Sequence, residues 1–532
     1  MRIRTLSAVL AASIVLATPS FPAVAQPAST NTRMDAVMSA IANDPIAYRE
    51  FFTEFPKGAD LHQHLSGAVW AESLLTWAAQ DGLCLTQVTF VASAGPCTSD
   101  QISAASVLSN PSLQSQVIAA WSMRLFIPSL TQSGHDQFFN TFGKFSTILD
   151  PVNRSGQALA EVLNQAATDS VVRLETKFTP WVSGFPTLTV AINSQAPSVV
   201  RDPARFPEAL AVLQRAGLDS LATTAISSTS EILAAKEAAL GCGSVAQQPG
   251  CGVDLGLIAQ VNRNATPDKV FAQLALDFSI AARDSRVVAV DLVAPEDGLN
   301  ALNDYSLHMQ MVRFMRSQFP GVHVTLHAGE LVPGLVPPAA LASHIRQAVE
   351  VAGAERIGHG VGIRTERNAK QLMSEMRKRG VLVEVSLTSN EQILGIKGMQ
   401  SQLPVYRANG VPVSLSTDDP GVERTDLSAQ YMKARRWFHL SYADLKKMSY
   451  DGIAHSFVSN ARKGGAEKAT RSSVCQIRVK IRDLAQHGLH HALGNGCRKG
   501  VTTDLRGAGI LDHHSHGHLR VLGRSERDEP GH

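Results

Sequence analysis

Several common functional motifs are missing from this sequence of 532 residues, and each absence excludes a class of protein. After residue 25, no apolar run approaches the ~20 residues that a membrane-spanning helix needs. Glycine-rich phosphate-binding patterns, internal repeats and the G-x-S-x-G turn of serine hydrolases do not occur. We therefore expect no membrane span after residue 25, no P-loop or dinucleotide-binding unit, and no hydrolase built on that serine turn.

Cysteine is scarce and never occurs in the C-x-x-C spacing, which disfavours a zinc site made of thiolates. The pairs Cys84–Cys97 and Cys242–Cys251 each bracket a loop rich in Gly, Ser or Thr. We expect a disulfide at each pair, although spacing alone leaves the connectivity open. The other two cysteines are Cys475 and Cys497.

A strong excess of one charge is also lacking. The net charge is +3, but Arg2 and Arg4 contribute two of the positive charges and residues 464–532 contribute four. Residues 26–463 therefore carry a net charge of about −3. A mildly acidic body gives no basis for nucleic-acid binding, and we expect a small-molecule substrate.

The first 25 residues have the composition of a secretory signal peptide. Arg2 and Arg4 precede a short apolar run from Leu6 to Ala17, and Ala23-Val24-Ala25 forms an A-x-A cleavage site. We expect cleavage after Ala25 and an exported protein, either periplasmic or extracellular. Export also permits the two disulfides.

Eight short apolar runs alternate with helix-like stretches, a pattern typical of βαβ units and a parallel sheet. Eight such units over roughly 400 residues favour an α/β fold of the TIM (β/α)8 barrel type, with an N-terminal helical arm at 26–57 and an insertion at 82–133. Phe138, Phe142 and Phe145 recur at helical spacing and favour a helix packed on the core. The eight runs are Asp60–Leu65, Val171–Phe178, Val253–Val261, Val287–Val293, Val322–His327, Arg356–His359, Val381–Leu387 and Val411–Ser416.

Polar residues end several of these runs. Residues two apart on an extended strand share a face, so the histidines at 62 and 64 should project together. Because barrel sites are assembled at the carboxyl ends of the strands, we expect all these polar groups to converge. Imidazole nitrogens and carboxylate oxygens are preferred zinc ligands. The residues are His62 and His64 (first run), His327 and Glu330 (fifth), His359 (sixth), and Asp418 and Asp419 (eighth).

Four motifs in order carry a family resemblance: D-L-H-Q-H-L at 60–65, T-L-H-A-G-E at 325–330, R-I-G-H-G at 356–360 and S-T-D-D-P at 416–420. Over roughly residues 50–460 the chain resembles the adenosine/AMP deaminase family. With its export signal and arm, it is most similar to the secreted, growth-factor-related adenosine deaminases and their exported bacterial relatives. The resemblance implies a metal-dependent hydrolase barrel over residues 26–463. The other zinc deaminase pattern, H-x-E with P-C-x-x-C, is absent.

The resemblance implies one Zn²⁺ per chain, with His62, His64, His327 and Asp418 as its ligands. Such a zinc lowers the pKa of a water molecule toward ~7, and the hydroxide can attack C6 of a purine. His64 is also expected to border the substrate.

The resemblance further implies roles around the purine. Glu330 would protonate ring N1, His359 would orient or deprotonate the attacking water, and Asp419 would bond N7. Two positions depart from the family: Ser66 replaces an Asp that contacts the ribose 5′ hydroxyl, and Ala294 replaces a Gly whose N–H meets purine N3. Ser66 leaves ribose recognition open, and the methyl group of Ala294 narrows the site.

We therefore expect hydrolysis of adenosine or 2′-deoxyadenosine to the inosine product and ammonia. Two alternatives stay open: deamination of another aminopurine, such as adenine or a modified nucleoside, and a nucleoside-binding or signalling barrel without turnover. AMP is disfavoured because no basic cluster beside the motifs can hold its phosphate. The oligomeric state is open.

Residues 464–532 differ from the rest of the chain, since they are rich in Gly, Arg and His and lack sustained periodicity. A disordered tail is expected there. The His-rich stretch at 513–518 could bind metal loosely, and a frame-shifted C-terminus would also explain the break in composition.

Overall fold

The computed structural model describes residues 30–150, 152–180, 182–195 and 198–471. The expected signal peptide, Cys475, Cys497 and the segment from 472 onward lie outside the described residues. Residues 460–471 are helical, so the first residues of the expected tail extend a helix. No helix among the described residues is long and apolar enough to cross a membrane.

Eight parallel strands form a barrel, as predicted. They are hydrogen-bonded in the order β1-β5-β6-β7-β8-β9-β10-β11, which is also their order in the sequence. A separate antiparallel sheet has the order β3-β2-β4. The strands are β1 (Gly58–His64), β2 (Cys84–Thr86), β3 (Ala92–Ser93), β4 (Gln101–Ser103), β5 (Val171–Phe178), β6 (Asp254–Asn262), β7 (Val287–Val293), β8 (His323–Ala328), β9 (Arg356–His359), β10 (Leu382–Val385) and β11 (Val413–Leu415).

The first and last barrel strands meet through a single bridge between Gln63 and Asp418. The His64 N–H donates to the Asp418 carbonyl at 2.9 Å, and the Asp418 N–H donates to the His62 carbonyl at 2.8 Å. Two histidines and an aspartate that are more than 350 residues apart thus become neighbours at the carboxyl end of the barrel.

Helices surround the strands and supply the apolar faces that cover them, as expected for parallel strands joined by crossover helices. Leu274 and Phe278 of α12 and Met311 and Met315 of α14, for example, are buried in the common core. The α-helices are α1 (Thr30–Ala40), α2 (Pro45–Glu54), α3 (Leu65–Ala68), α4 (Ala71–Gln80), α5 (Ala104–Leu108), α6 (Pro111–Ala120), α7 (Gly134–Phe145), α8 (Val152–Thr168), α9 (Phe185–Gln195), α10 (Phe206–Arg215), α11 (Leu218–Leu240), α12 (Pro267–Arg283), α13 (Leu299–Asn303), α14 (Tyr305–Gln318), α15 (Pro338–Leu341), α16 (His344–Gln347), α17 (Ala369–Arg379), α18 (Leu387–Leu394), α19 (Leu403–Ala408), α20 (Pro420–Glu423), α21 (Leu427–Phe438) and α22 (Tyr442–Ala454).

The insertion after α4 contains the small antiparallel sheet, and both expected disulfides form. Cys84–Cys97 ties β2 to the loop before β4, and Cys242–Cys251 closes the loop between α11 and β6. A covalent loop closure restricts the unfolded chain, so each disulfide stabilises the folded form of the loop that it closes.

The barrel interior carries paired charges below the site, where many barrels of this type have branched apolar side chains. Arg356 on β9 contacts Glu175 on β5 and Glu384 on β10, each at 2.6 Å. Lys177 on β5 lies 3.7 Å from Asp291 on β7. All five side chains are buried, and buried charges are tolerated when they are paired.

Candidate active site

A cavity of about 570 Å³ opens at the carboxyl ends of the barrel strands, where the sequence places the polar residues. One wall is aromatic, one carries amide side chains, and the floor carries histidines and carboxylates. The lining residues are His64, Ser66, Phe138, Phe139, Phe142, Thr179, Gln260, Asn262, Gln273, Val293, Ala294, Pro295, His327, Glu330, His359, Asp418 and Asp419.

Four of the predicted ligand atoms converge on one point at the cavity floor. The Nε2 atoms of His62 and His64 each lie 3.1 Å from Nε2 of His327. Asp418 Oδ1 lies 3.3 Å from Nε2 of His62 and 3.4 Å from Nε2 of His64. A tetrahedral zinc site with bonds of about 2.0–2.1 Å has ligand-to-ligand distances of about 3.3 Å. These four distances are close to that value. By mutual distance, His62, His327 and Asp418 form a possible metal-binding group with His359, and His64 forms another with Asp418 and Asp419.

The opposite ring nitrogen of each histidine faces an oxygen. Nδ1 of His62 lies 2.6 Å from Glu384 Oε2, and Nδ1 of His327 lies 2.9 Å from Asp291 Oδ2. Nδ1 of His64 lies 3.2 Å from the Gln260 side-chain oxygen. A proton on each Nδ1 leaves the Nε2 lone pair for a metal, which is the arrangement usual behind metal-binding histidines.

The protonation of these groups suits a cation. Burial, with Lys177 nearby, holds the pKa of His64 well below its ordinary value, and burial with His62 and Lys177 does the same for His327. Although burial alone would raise it, the pKa of Asp418 is held well below its ordinary value by His359 and His62. Neutral imidazoles beside an ionised carboxylate are the protonation states in which these groups bind zinc.

His62 differs from the other two histidines, since its pKa is raised. Burial and Lys177 oppose its protonation, but the Asp418 and Glu384 carboxylates outweigh them. A cation at the Nε2 cluster would take the place of the second proton.

A glycine makes room for His62. A Cβ on Gly358 of β9 would lie closer than 3.0 Å to both Cε1 and Nδ1 of His62. The backbone of Gly358 is not in the left-handed region, so its role is to leave space. The G in R-I-G-H-G thus lets the imidazole lie against the strand.

His359 is the last residue of β9 and has a φ of +61°, and its side chain lies beside those of His62 and Asp418. Its Nδ1 lies 3.2 Å from the Asn390 side-chain oxygen, and its Nε2 lies 3.7 Å from Asp418 Oδ2. Burial lowers the pKa of His359 to about 4. The imidazole is thus neutral near pH 7, and its Nε2 has no hydrogen-bond partner among the described residues.

Glu330 follows β8, Asp419 follows β11, and both line the cavity. Burial and the nearby Asp418 charge raise the pKa of Glu330 well above its ordinary value. The same two effects raise the pKa of Asp419. A Cβ on Gly67 would overlap the Asp419 carboxyl, so this glycine leaves room for it. Two carboxyl groups held in the protonated form can donate hydrogen bonds.

The two departures from the family both line the cavity. Ser66, in the first turn of α3, presents a hydroxyl where the family that the chain resembles has a carboxylate. Ala294 follows β7 with a φ of +80°, a conformation that favours glycine. Arg263 Nε donates to its carbonyl at 2.8 Å. The backbone position that a glycine would occupy is therefore kept, with an added methyl group.

Sequence reasoning missed the aromatic wall. The predicted helix forms as α7, and Phe145 is buried in the core, but Phe138, Phe139 and Phe142 line the cavity. The helix packs on the core as predicted, since Phe138 is buried there as well, but its second role as a cavity wall was not predicted. The helical spacing predicted which residues share a face of α7. It did not predict that this face lies over the cavity, because the insertion before α7 sets the position of the helix.

The amide side chains of the cavity wall and the carboxylates that face the histidine Nδ1 atoms were also not predicted from the sequence. Gln260 donates to Thr179 Oγ1 at 3.1 Å while its oxygen faces His64. Glu384 and Asp291 lie on β10 and β7, each in a short apolar run. A charged residue within an apolar strand was the signal that could have marked both.

Part of the chain is similar to known adenosine deaminases. A family model described as adenosine deaminase matches residues 230–469, a range that includes His327, Glu330, His359 and the two aspartates. The adenosine deaminase of Edwardsiella ictaluri is 32% identical over 213 residues, which are 40% of this chain and 58% of that protein. That of Escherichia coli strain SE11 is 32% identical over 218 residues, again 40% of this chain and 60% of that protein. The matches thus span less than two thirds of these relatives' length.

Solved structures share the fold at low sequence identity. An adenine deaminase from Arthrobacter aurescens is 18% identical with a TM-score of 0.52, covering 79% of this chain and 99% of its own. An amidohydrolase from Burkholderia ambifaria with bound Zn is 18% identical, with a TM-score of 0.53 and coverages of 82% and 95%. An N6-mAMP deaminase from Arabidopsis is 19% identical, with a TM-score of 0.53 and coverages of 80% and 99%.

The family model covers six of the eight barrel strands, β6 to β11, and the D-L-H-Q-H-L strand outside it contributes His62 and His64 to the histidine cluster. Over residues 230–469 this chain is similar to the adenosine deaminase family.

Proposed function

We propose that this protein hydrolytically removes the exocyclic amino group of an aminopurine and releases ammonia, with adenosine or 2′-deoxyadenosine as its substrate. The observation that carries the proposal is the convergence of the three Nε2 atoms and Asp418 Oδ1 beneath a cavity that also holds Glu330 and Asp419. The alternative of a binding or signalling barrel is disfavoured, since it does not require this complete set.

One Zn²⁺ per chain would be held by His62, His64, His327 and Asp418. When bound, zinc supplies Lewis acidity and makes water a nucleophile near neutral pH. His359 orients that water and accepts its proton, because its imidazole is neutral and its Nε2 faces Asp418.

The purine is recognised by the two carboxyl groups that burial protonates. Glu330 donates its proton to ring N1, which prevents negative charge from developing on the ring during attack at C6. Asp419 donates a hydrogen bond to N7. The backbone N–H of Ala294 meets N3 on the third side of the ring, so three contacts fix the base in the cavity.

The walls favour an uncharged substrate. No Lys or Arg occurs among the residues that line the cavity, whereas three carboxyl groups do. A phosphate would lack a cationic partner and would lie near acidic groups, so a nucleoside is favoured over a nucleotide. The aromatic wall can pack on the base, and the amides of Gln260 and Asn262 can bond ribose hydroxyls.

A second candidate substrate is adenine or another aminopurine without an ordinary ribose. Ser66 favours it, because the family carboxylate that contacts the ribose 5′ hydroxyl is replaced by a shorter side chain. The Arthrobacter structure that shares this fold is described as an adenine deaminase.

The test is ammonia release by the purified full chain from adenosine, 2′-deoxyadenosine, adenine and AMP, in parallel with Glu330→Gln. We expect turnover of a nucleoside, no turnover of AMP, and a loss of at least about 100-fold in kcat in the variant. Turnover of adenine alone would replace the substrate assignment. Activity that survives Glu330→Gln would contradict the role of the acid.

We also propose that the protein is exported, to the periplasm or the medium. The support is the basic, apolar and A-x-A pattern of residues 1–25 together with two disulfides, which persist in oxidising compartments. Fractionation of cells that express the full chain would contradict this if the protein stays in the cytosol with its first 25 residues attached.

A further inference from the structure

The backbone at Glu330 sets where its carboxyl can reach within the cavity. Among the residues that the structure describes, no side chain hydrogen-bonds this carboxyl, and His359 Nδ1 lies 3.7 Å from its Oε1. A proton donor must be aimed within hydrogen-bond reach of its acceptor. Whatever fixes the Gly329–Glu330 peptide therefore aims the acid.

Glu296, in the loop after β7, accepts hydrogen bonds from both N–H groups of that segment. Its Oε1 accepts the Gly329 N–H at 3.0 Å, and its Oε2 accepts the Glu330 N–H at 2.8 Å. Gly329 has a φ of +73°, and a Cβ there would lie 2.6 Å from Ile345. Two consecutive N–H groups are thus held by one carboxylate at a turn that only glycine adopts without strain.

The Glu296 carboxylate is itself fixed on its other side. His344 Nδ1 lies 2.6 Å from Glu296 Oε1, and the His344 ring stacks on Tyr305 with 3.5 Å between ring centroids. The Tyr305 hydroxyl donates to the His344 carbonyl at 2.9 Å. Glu296 is 1% exposed and does not line the cavity, so it acts on the substrate only through other residues.

Arg263 links the same carboxylate to the metal side of the site. Its Nη1 lies 4.0 Å from Glu296 Oε2 and donates to the His327 carbonyl at 3.1 Å. Its Nε donates to the Ala294 carbonyl at 2.8 Å. The segment that carries the acid, the strand end that carries a metal ligand and the wall beside the purine are therefore joined through Glu296 and Arg263.

We propose that Glu296 is a positioning residue for the proton transfer: its carboxylate, oriented by His344, holds the two N–H groups that aim Glu330 at the purine ring. This inference rests on the proposed function for its kinetic consequence, but the two hydrogen bonds themselves can be tested without turnover. A glutamine at 296 keeps the shape and presents an NH2 group to one of the two N–H groups, so only one of them retains an acceptor.

The kinetic test compares Glu296→Gln with the wild-type chain after both are loaded with zinc. Because a misplacement of about 1 Å can cost 10²-fold, we expect kcat to fall about 10- to 100-fold. KM should stay within about twofold, since Glu296 does not line the cavity and Arg263 keeps its hydrogen bond to the Ala294 carbonyl, and the zinc content should be unchanged. His344→Phe keeps a ring on Tyr305 but removes the contact to Glu296, and it should cause a smaller fall in kcat.

The matched control is Asp169→Asn. Asp169 is also buried, and its Oδ2 accepts two successive N–H groups, from Leu427 at 2.8 Å and Ser428 at 3.4 Å, away from the cavity. It should lower the melting temperature without changing kcat or KM. A rise in KM with unchanged kcat in Glu296→Gln, or equal effects of both variants on kcat, would overturn the inference.

Hydrogen exchange separates this inference from the proposed function. If no aminopurine is turned over, the proposed function fails, and exchange at the Gly329 and Glu330 amides still reports the two hydrogen bonds. We expect these two amides to exchange at least about tenfold faster in Glu296→Gln and at the wild-type rate in Asp169→Asn. Unchanged exchange in the folded variant would overturn the inference. If Glu296→Gln does not fold, the same readouts apply to His344→Phe.

Discussion

Replacing Gly358 with alanine should damage the metal site without touching a ligand. The new Cβ would lie 2.9 Å from His62 Nδ1, and the ordinary contact distance is about 3.4 Å, so the imidazole must move by at least about 0.5 Å. Metal–ligand distances tolerate about ±0.2 Å. The ring cannot retreat freely, because Nδ1 is held at 2.6 Å by Glu384 and the side chain is fully buried.

We expect the zinc affinity of Gly358→Ala to fall by about 10- to 100-fold, the range found when groups that orient metal ligands are changed. Overpacking should also lower the free energy of unfolding by about 1–3 kcal/mol. The assay is competition for zinc with a chelator of known affinity, followed by ammonia release at saturating zinc.

Gly362→Ala is the matched control. It lies four residues further on, is not in the left-handed region, and its Cβ would meet other atoms only at 3.5 Å or more. Its zinc affinity should equal that of the wild-type chain. A zinc affinity within about twofold of wild type in a folded Gly358→Ala would refute the reasoning, since His62 would then not be confined as described.

Three further outcomes are expected. Glu384→Gln should lower zinc affinity by about 10- to 100-fold in the chelator assay, because it weakens the carboxylate that orients His62; unchanged affinity would contradict this role. His135→Phe removes the 3.1 Å contact to Asp297 that joins α7 to the loop after β7, and it should raise KM up to about fivefold at constant kcat. His323→Phe removes a similar pair with Glu355 at 2.8 Å and should leave KM unchanged. Equal effects of the two variants on KM would contradict a role of the His135–Asp297 pair in substrate binding. Replacing Cys242 and Cys251 with serine should lower the free energy of unfolding by roughly 2–4 kcal/mol in a denaturant titration and leave kcat of the folded enzyme unchanged; a fall in kcat would show that the loop reaches the site.

The barrel and the convergence of its polar residues could be predicted because both follow from local rules. Apolar runs at regular intervals mark parallel strands, and the carboxyl ends of such strands meet at one end of a barrel. His62 and His64 do project together, although Leu65, expected to continue the strand, begins α3. The pairing of Asp418 with β1 follows from closure of the ring of strands, which a count of eight implies.

The residues that were not predicted depend on strand register and on the paths of loops. Whether Glu384 or Asp291 faces a histidine is decided by how neighbouring strands align, and a shift by one residue would reverse each side chain. The aromatic face of α7 was visible in the spacing of Phe138 and Phe142, but its position over the cavity is set by the insertion before it. Gln260 carried no signal, since an amide within a strand is common.

The most direct test of a hydrolytic metal site is to titrate the metal-free chain with zinc and follow ammonia release from the best substrate of the panel. The account predicts activity that rises linearly and levels off at one zinc per chain, with His327→Ala unable to reach this plateau at any zinc concentration that the protein tolerates. Full activity of the metal-free chain, or a plateau that His327→Ala also reaches, would contradict it.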